Sequence, residues 1–319
     1  MKKFLISIDT EGDNQWNYIP GKPIETRNVK AVYRFQELCN KYGFKPTYLT
    51  NYEMACNEEF VRYIRKEQEE GHCEVGMHLH GWNTPPEYTL EHMRSDIAPG
   101  DCSFLIEYPE DIMEKKISYM TDLLTEKFGR RPISHRAGRW ATNDTYFEIL
   151  DRYGYLVDCS VTPGMDMTSS VGFTEGSHGT DYRNYPKDSY RIPNLSLIEI
   201  PMTVRQNHKI KKDGRNGLKH YLYKCYKAYK GRGPIWLRPA GSNLDELLYL
   251  ARKIKHEKTD YLMFMLHTSE MMAGCSPTFP TEESIERLFS DMEELFRYVS
   301  TFCVGATIGD YAREIKDSL

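Results

Sequence analysis

Residues 74–82 read EVGMHLHGW, with two histidines two apart in an apolar run. Read as a strand, the segment puts alternate residues on a common face: Val75, Met77 and Leu79 point one way, Gly76, His78 and His80 the other. The apolar side suits packing against helices, so the opposite side faces inward. This is the pattern of a parallel barrel strand, with both imidazoles near the C-terminal end where catalytic groups collect.

The flanking segments keep the same beat. FLISID at 4–9 is a short apolar run that closes on an acid, as a buried parallel strand does. Val29, Val32, Phe35, Leu38 and Cys39 recur at helical spacing up to Gly43, a C-terminal cap. A strand at 47–50 follows, then a helix capped by Asn57 that carries Phe60 and Ile64 and ends at Gly71. Beyond 74–80 the pattern predicts a helix over 111–128, a strand at 133–136, a helix opened by Asn143 and a strand at 155–160. Further strands are predicted at 197–200, 234–237, 261–267 and 302–304, separated by helices near 216–230, 243–257 and 282–299. The alternation implies right-handed βαβ units and about eight parallel strands. No linker rich in Pro, Gly or Ser interrupts it, so 1–319 reads as a single α/β barrel domain with a long aperiodic loop near 162–191 over one mouth.

Composition narrows the function classes. A charged fraction of 28% and a mean hydropathy of -0.62 describe a globular chain with a solvated surface, not a disordered one. The net charge of -4 is too small to argue for a nucleic-acid partner over the whole molecule, and none is expected. Eight cysteines without a CxxC pair read as reduced thiols, not as a disulfide framework or a structural zinc site. At the N-terminus, MKKFLISIDTEGD is cut short by Asp9 and Glu11, too soon for a signal peptide, and no window approaches the ~20 apolar residues of a membrane span. A cytoplasmic location is expected.

Asp9 and Glu11 are also two apart at the end of their strand, so they project to the same side. Two histidines and a carboxylate at strand ends form the ligand set of a divalent ion that keeps a position open for water. The remaining carboxylate is then free to take a proton from that water, whose pKa the ion lowers from ~15.7 toward ~7.

SIDTEGD, GHCEVGMHLHGW, HRAGRWA, YLVDCSVTP and FMLHTSE occur in the order of five family motifs, between residues 7 and 270. In this the chain resembles the polysaccharide deacetylases, the NodB-homology group or carbohydrate esterase family 4. The resemblance implies a distorted (β/α) barrel of seven or eight parallel strands and metal-dependent removal of acetyl groups from sugars. It implies that Asp9 is the general base and that Glu11, His78 and His80 bind one divalent ion, zinc first, with cobalt, manganese, iron or nickel as alternatives. Arg136 or Arg139 would orient the base, Trp140 would line the acyl pocket and Trp82 would contact substrate. His267 would be the general acid, with Asp158 holding its imidazole. The commoner form of the family has adjacent aspartates and histidines four apart, whereas here both pairs are two apart and Trp82 follows His78 by four. The HxH and RAGRW patterns are most similar to a branch among surface-polysaccharide biosynthesis proteins.

Between Arg205 and Arg232 ten Lys or Arg face one acid, Asp213, a local net charge of +9. Leu218, Tyr221, Leu222, Cys225, Tyr226 and Tyr229 could form one face of a helix with lysines 219, 224, 227 and 230 around the other. The segment is expected to attract an anionic carrier of the acetylated sugar, either a nucleotide or a lipid-linked form at the inner membrane face. Two other functions are consistent with the sequence: hydrolysis of a non-sugar amide C–N bond, and a catalytically inactive carbohydrate-binding homologue.

Overall fold

The computed structural model describes residues 1–13, 15–19, 22–98, 100–206 and 233–319. The FLISID run forms the centre of the sheet. Strand β1 (Lys2–Thr10) is buried from Phe4 onward and is flanked in parallel by β2 (Pro46–Thr50) on one side and β10 (Tyr261–His267) on the other. From β2 the order continues through β3 (Glu74–Leu79), β4 (Ser134–Ala137), β5 (Val157–Asp158) and β7 (Ile198–Glu199), all parallel. A short β6 (Tyr190–Arg191) closes that edge antiparallel, and β11 (Cys303–Ala306) pairs with the first half of β1.

The alternation has the predicted consequence. Phe4, Ile6, Ile8, Val75, Met77 and Leu79 share an outer core with helix residues such as Phe35, Ile64, Ile117 and Phe296. Leu5, Leu49, Val157, Met263 and Met265 fill the inside. Around the sheet lie α1 (Val29–Lys41), α2 (Tyr52–Ala55), α3 (Glu58–Glu69), α4 (Glu110–Phe128), α5 (Asp144–Arg152), α6 (Leu244–Lys255), α7 (Glu282–Val299) and α8 (Ile308–Ile315). Asn57 and Asn143 cap α3 and α5, their Oδ1 atoms each accepting a backbone N–H at 2.9 Å. The short α8, capped by Thr307, has too few turns to show a helical period in the sequence.

The barrel is distorted at one seam. The predicted strand near 234–237 is not part of the main sheet: β9 (Pro234–Trp236) pairs antiparallel with β8 (Val204–Gln206). The ring closes instead through single backbone contacts. Leu237 donates its N–H to the Thr203 carbonyl at 3.0 Å and accepts from the Met265 N–H at 3.1 Å. The 162–191 segment is a long loop with two internal isolated bridges, Asp166 to Asp181 and Val171 to His178, and a third from Thr174 to Met93, before β6 begins. Residues 207–232, which hold nearly all of the basic segment and the predicted helix at 216–230, lie outside the described residues. Among the described residues no helix is long and apolar enough to cross a membrane, and no disulfide joins the cysteines.

Candidate active site

Parallel register assembles the site. Asp9 on β1 is aligned with His267 on β10, and His78 on β3 with Arg136 on β4, so four strand ends bring their inward side chains to one mouth. Glu11 extends the inward face of β1 by one further step. Its Oε2 lies 3.4 Å from His80 Nε2 and 3.7 Å from His78 Nε2, and those two nitrogens are 3.0 Å apart. Glu11, His78 and His80 are all buried, and their ligand atoms fall within one coordination sphere.

The donor set fits a divalent ion on its chemistry. His78 donates Nδ1–H to the Arg136 carbonyl at 2.9 Å, which leaves the Nε2 lone pair directed at Glu11 and His80. Burial, with the neighbouring His78, His267 and Arg139, holds His80 well below the ordinary histidine range, so it is neutral, as a ligand must be. Burial would also lower His78, but the Asp9 and Glu11 carboxylates outweigh it and raise the imidazole. The same two carboxylates that draw a proton to His78 would draw a cation to its Nε2.

Asp9 stands beside this cluster. Its Oδ1 accepts from Arg136 at 2.6 Å, while Oδ2 faces His267 Nε2 at 3.6 Å and His78 Nε2 at 4.0 Å. Burial alone would raise the Asp9 carboxyl; Arg136, His78 and His267 overcome it and hold the group at about 2. Arg136, fully buried, also donates to Ser7 Oγ at 2.8 Å and to the Cys159 carbonyl at 3.1 Å. Of the two arginines the sequence offered, the structure brings Arg136 to Asp9. Arg139 lies one turn beyond β4 and donates instead to the carbonyls of Cys102 and Val171, fastening the long loop to the mouth.

The turn that follows β4 is strained. Arg139 and Trp140 have φ of 56° and 61°, the left-handed region that non-glycine residues rarely enter. Trp140 lies 4.7 Å from the Arg136 guanidinium and edge-on to Trp236. Gly138 has a separate reason to be glycine. A Cβ there would lie 2.6 Å from both His80 Cδ2 and the Leu79 carbonyl, so the glycine lets β4 pass close to the histidine strand.

His267 is oriented by a residue other than the predicted one. Asp158 pairs with His135, Oδ2 to Nδ1 at 2.5 Å, and does not approach His267. Strand alternation explains this: Val157 and Cys159 point into the barrel, which turns Asp158 outward with His135 and Tyr146. The partner of His267 is Glu270, whose Oε2 accepts from Nδ1 at 2.9 Å, with Arg238 holding the other oxygen at 2.9 Å. Burial would raise Glu270, but Arg238 and His267 bring it down to about 2. The i,i+3 spacing in HTSE was the available signal for Glu270, whereas nothing near Arg238 marked that residue. Trp16 packs edge-on against His267 with ring centroids 4.9 Å apart, and Trp82 stacks on His80 at 4.1 Å.

The comparisons agree with this architecture. No protein-family model matches the chain, and no curated protein matches it. Among solved structures, a protein assigned as a polysaccharide deacetylase from Mycobacterium smegmatis is similar over 100% of this chain and 92% of its own, at 14% identity and a TM-score of 0.54. One with the same assignment from Pseudomonas aeruginosa PAO1 is similar over 99% and 90%, at 14% identity and a TM-score of 0.52. The Puue allantoinase is similar over 99% and 90%, at 15% identity and a TM-score of 0.51. At these identities the likeness is one of fold: the chain is built on the distorted α/β barrel of the polysaccharide deacetylases, which an allantoinase shares.

Proposed function

We propose that the chain is a metal-dependent hydrolase that removes an acetyl group from an N- or O-acetylated sugar during surface-polysaccharide assembly. The observation that carries this reading is the convergence of Glu11, His78 and His80 beside Asp9, with His267 facing Asp9. A divalent ion held by the carboxylate and the two imidazoles, zinc first, would supply a Lewis acid that polarises the acyl oxygen and acidifies water. Asp9 accepts the proton of the attacking water through Oδ2, because Arg136 occupies Oδ1 and keeps the group ionised. His267 delivers a proton from Nε2 to the departing nitrogen or oxygen, and Glu270 on Nδ1 supports the imidazolium. Trp140 and Trp82 wall the acyl and sugar sides. The basic 205–232 segment would serve an anionic carrier, a nucleotide or a lipid-linked form at the inner membrane face, a reading that goes with a cytoplasmic reaction.

Acetate release from a panel of acetylated sugars, with zinc present, tests the reading. Asp9→Asn should abolish release while the ion stays bound; unchanged turnover would sink the assignment. A second reading, hydrolysis of a small non-sugar amide, is favoured by the barrel shared with the Puue allantoinase. Simple amides in the same panel separate the two.

A further inference from the structure

A cleft of about 1040 Å³ opens beside the candidate metal ligands, between the segments that follow β1, β2 and β3. Its inner wall is Trp82, the ring stacked on His80, and Tyr18 lies 6.1 Å from Trp82 with the ring planes inclined at 47°. Aromatic faces set at an angle are suited to the C–H faces of pyranose rings and to cations.

Carboxylates outnumber ammonium groups in the cleft. Glu53, Glu58, Glu59 and Glu87 line it with Lys22 and Lys116, and burial pushes Glu53 up to about 7, so Glu58, Glu59 and Glu87 carry the negative charge. Lys116 is already engaged, its ammonium donating to the carbonyls of Thr84 and Pro86 and sitting 4.9 Å from the Tyr108 ring centre. Glu53 is held in place by the side-chain amides of Gln15 at 2.7 Å and Asn83 at 2.8 Å. Thr84, only 2% exposed, also lines the cleft, and its Oγ1 has no hydrogen-bond partner; the indole N–H of Trp82 is likewise without one. Buried polar groups left this way ask for a ligand that donates and accepts. An ammonium finds the exposed carboxylates of Glu58, Glu59 and Glu87 and the aromatic faces together here.

We infer that this cleft binds a sugar unit carrying a protonated amine, next to the acetylated unit, so that the preferred substrate is a chain already partly deacetylated. The inference rests on the deacetylase reading of the adjoining site. It also assigns the two kinds of charge to different parts of the substrate. The amine-bearing unit enters the acidic cleft, and any phosphate carrier must leave by another side of the mouth.

The test is a calorimetric titration of the full-length Asp9→Asn chain, with zinc present, against three probes: di-N-acetylchitobiose, its mono-deacetylated form and N-acetylglucosamine 1-phosphate. The mono-deacetylated sugar should bind about tenfold more tightly than the fully acetylated one. That advantage should shrink toward parity at high salt and in the Glu58→Gln/Glu87→Gln background, whose changes are exposed and shape-conserving. Parity between the probes, a preference for the acetylated or phosphorylated sugar, or no binding at all overturns the inference. Acetate release by the wild type keeps the two readings apart. Release without any preference for the amine-bearing chain removes the cleft and leaves the deacetylase, whereas tight binding of the amine without release from any probe does the reverse.

Discussion

Two imidazole–carboxylate pairs sit near the same end of the barrel and differ in what their second nitrogen meets. In His135–Asp158 both side chains are fully buried on the helix side of the sheet, and His135 Nε2 is hydrogen-bonded to the Tyr146 hydroxyl at 2.8 Å. Every polar atom of that imidazole is satisfied. In His267–Glu270 the carboxylate takes Nδ1 in the same way, but Nε2 is left facing Asp9 across the mouth at 3.6 Å. On the proposed reading, then, the pairing with a carboxylate is not what marks the reactive histidine. The open nitrogen is, and strand alternation decides which residue has it.

The sharpest way to break this comparison is to delete each imidazole. His267→Ala should lower acetate release by about 10²–10⁴-fold with only a modest fall in melting temperature, because Arg238 still pairs with the buried Glu270. His135→Ala should do the opposite. It leaves the buried Asp158 carboxylate with Ser160 still donating to it, so chemical denaturation should show a loss of about 1–3 kcal/mol, with near-normal turnover per folded molecule. A collapse of activity in His135→Ala at full stability would assign the chemistry to the wrong pair.

Acid titration sharpens the comparison further. Asp9 and Glu270 are held at about 2, below their ordinary values of 3.8 and 4.5. Depressed carboxylates contribute stability that is complete above the ordinary value and is lost as pH falls through the lowered one. Melting temperature should therefore drop between about pH 4.5 and pH 2, and Glu270→Gln should flatten part of that drop. A smaller effect is expected at Gly138→Ala. The added methyl meets His80 and the Leu79 carbonyl, so zinc affinity should fall while the barrel stays folded; unchanged affinity would show that the close approach is idle.

Much of this was legible in the sequence because period two is unambiguous where one face is apolar. Val75, Met77 and Leu79 sent His78 and His80 inward, and the same rule aligned Glu11 with Asp9. It was less informative at residues 157–161, where both faces are buried, so Asp158 could be read as inward when Val157 and Cys159 hold that side. Arg136 and Arg139 were equally plausible for Asp9, because only the geometry of the turn shows that the second lies past the strand end with a left-handed backbone. Arg238 reaches Glu270 from another segment, a contact made by barrel closure and by no local pattern.

The central claim is that Glu11, His78 and His80 form one metal centre. Elemental analysis of the purified chain beside His78→Ala, His80→Ala and Glu11→Gln tests it most directly. The account predicts near one divalent ion per wild-type chain and its loss in all three variants. No bound ion in the wild type after reconstitution with zinc, cobalt, manganese, iron or nickel would contradict it, and so would an ion retained when either histidine is removed.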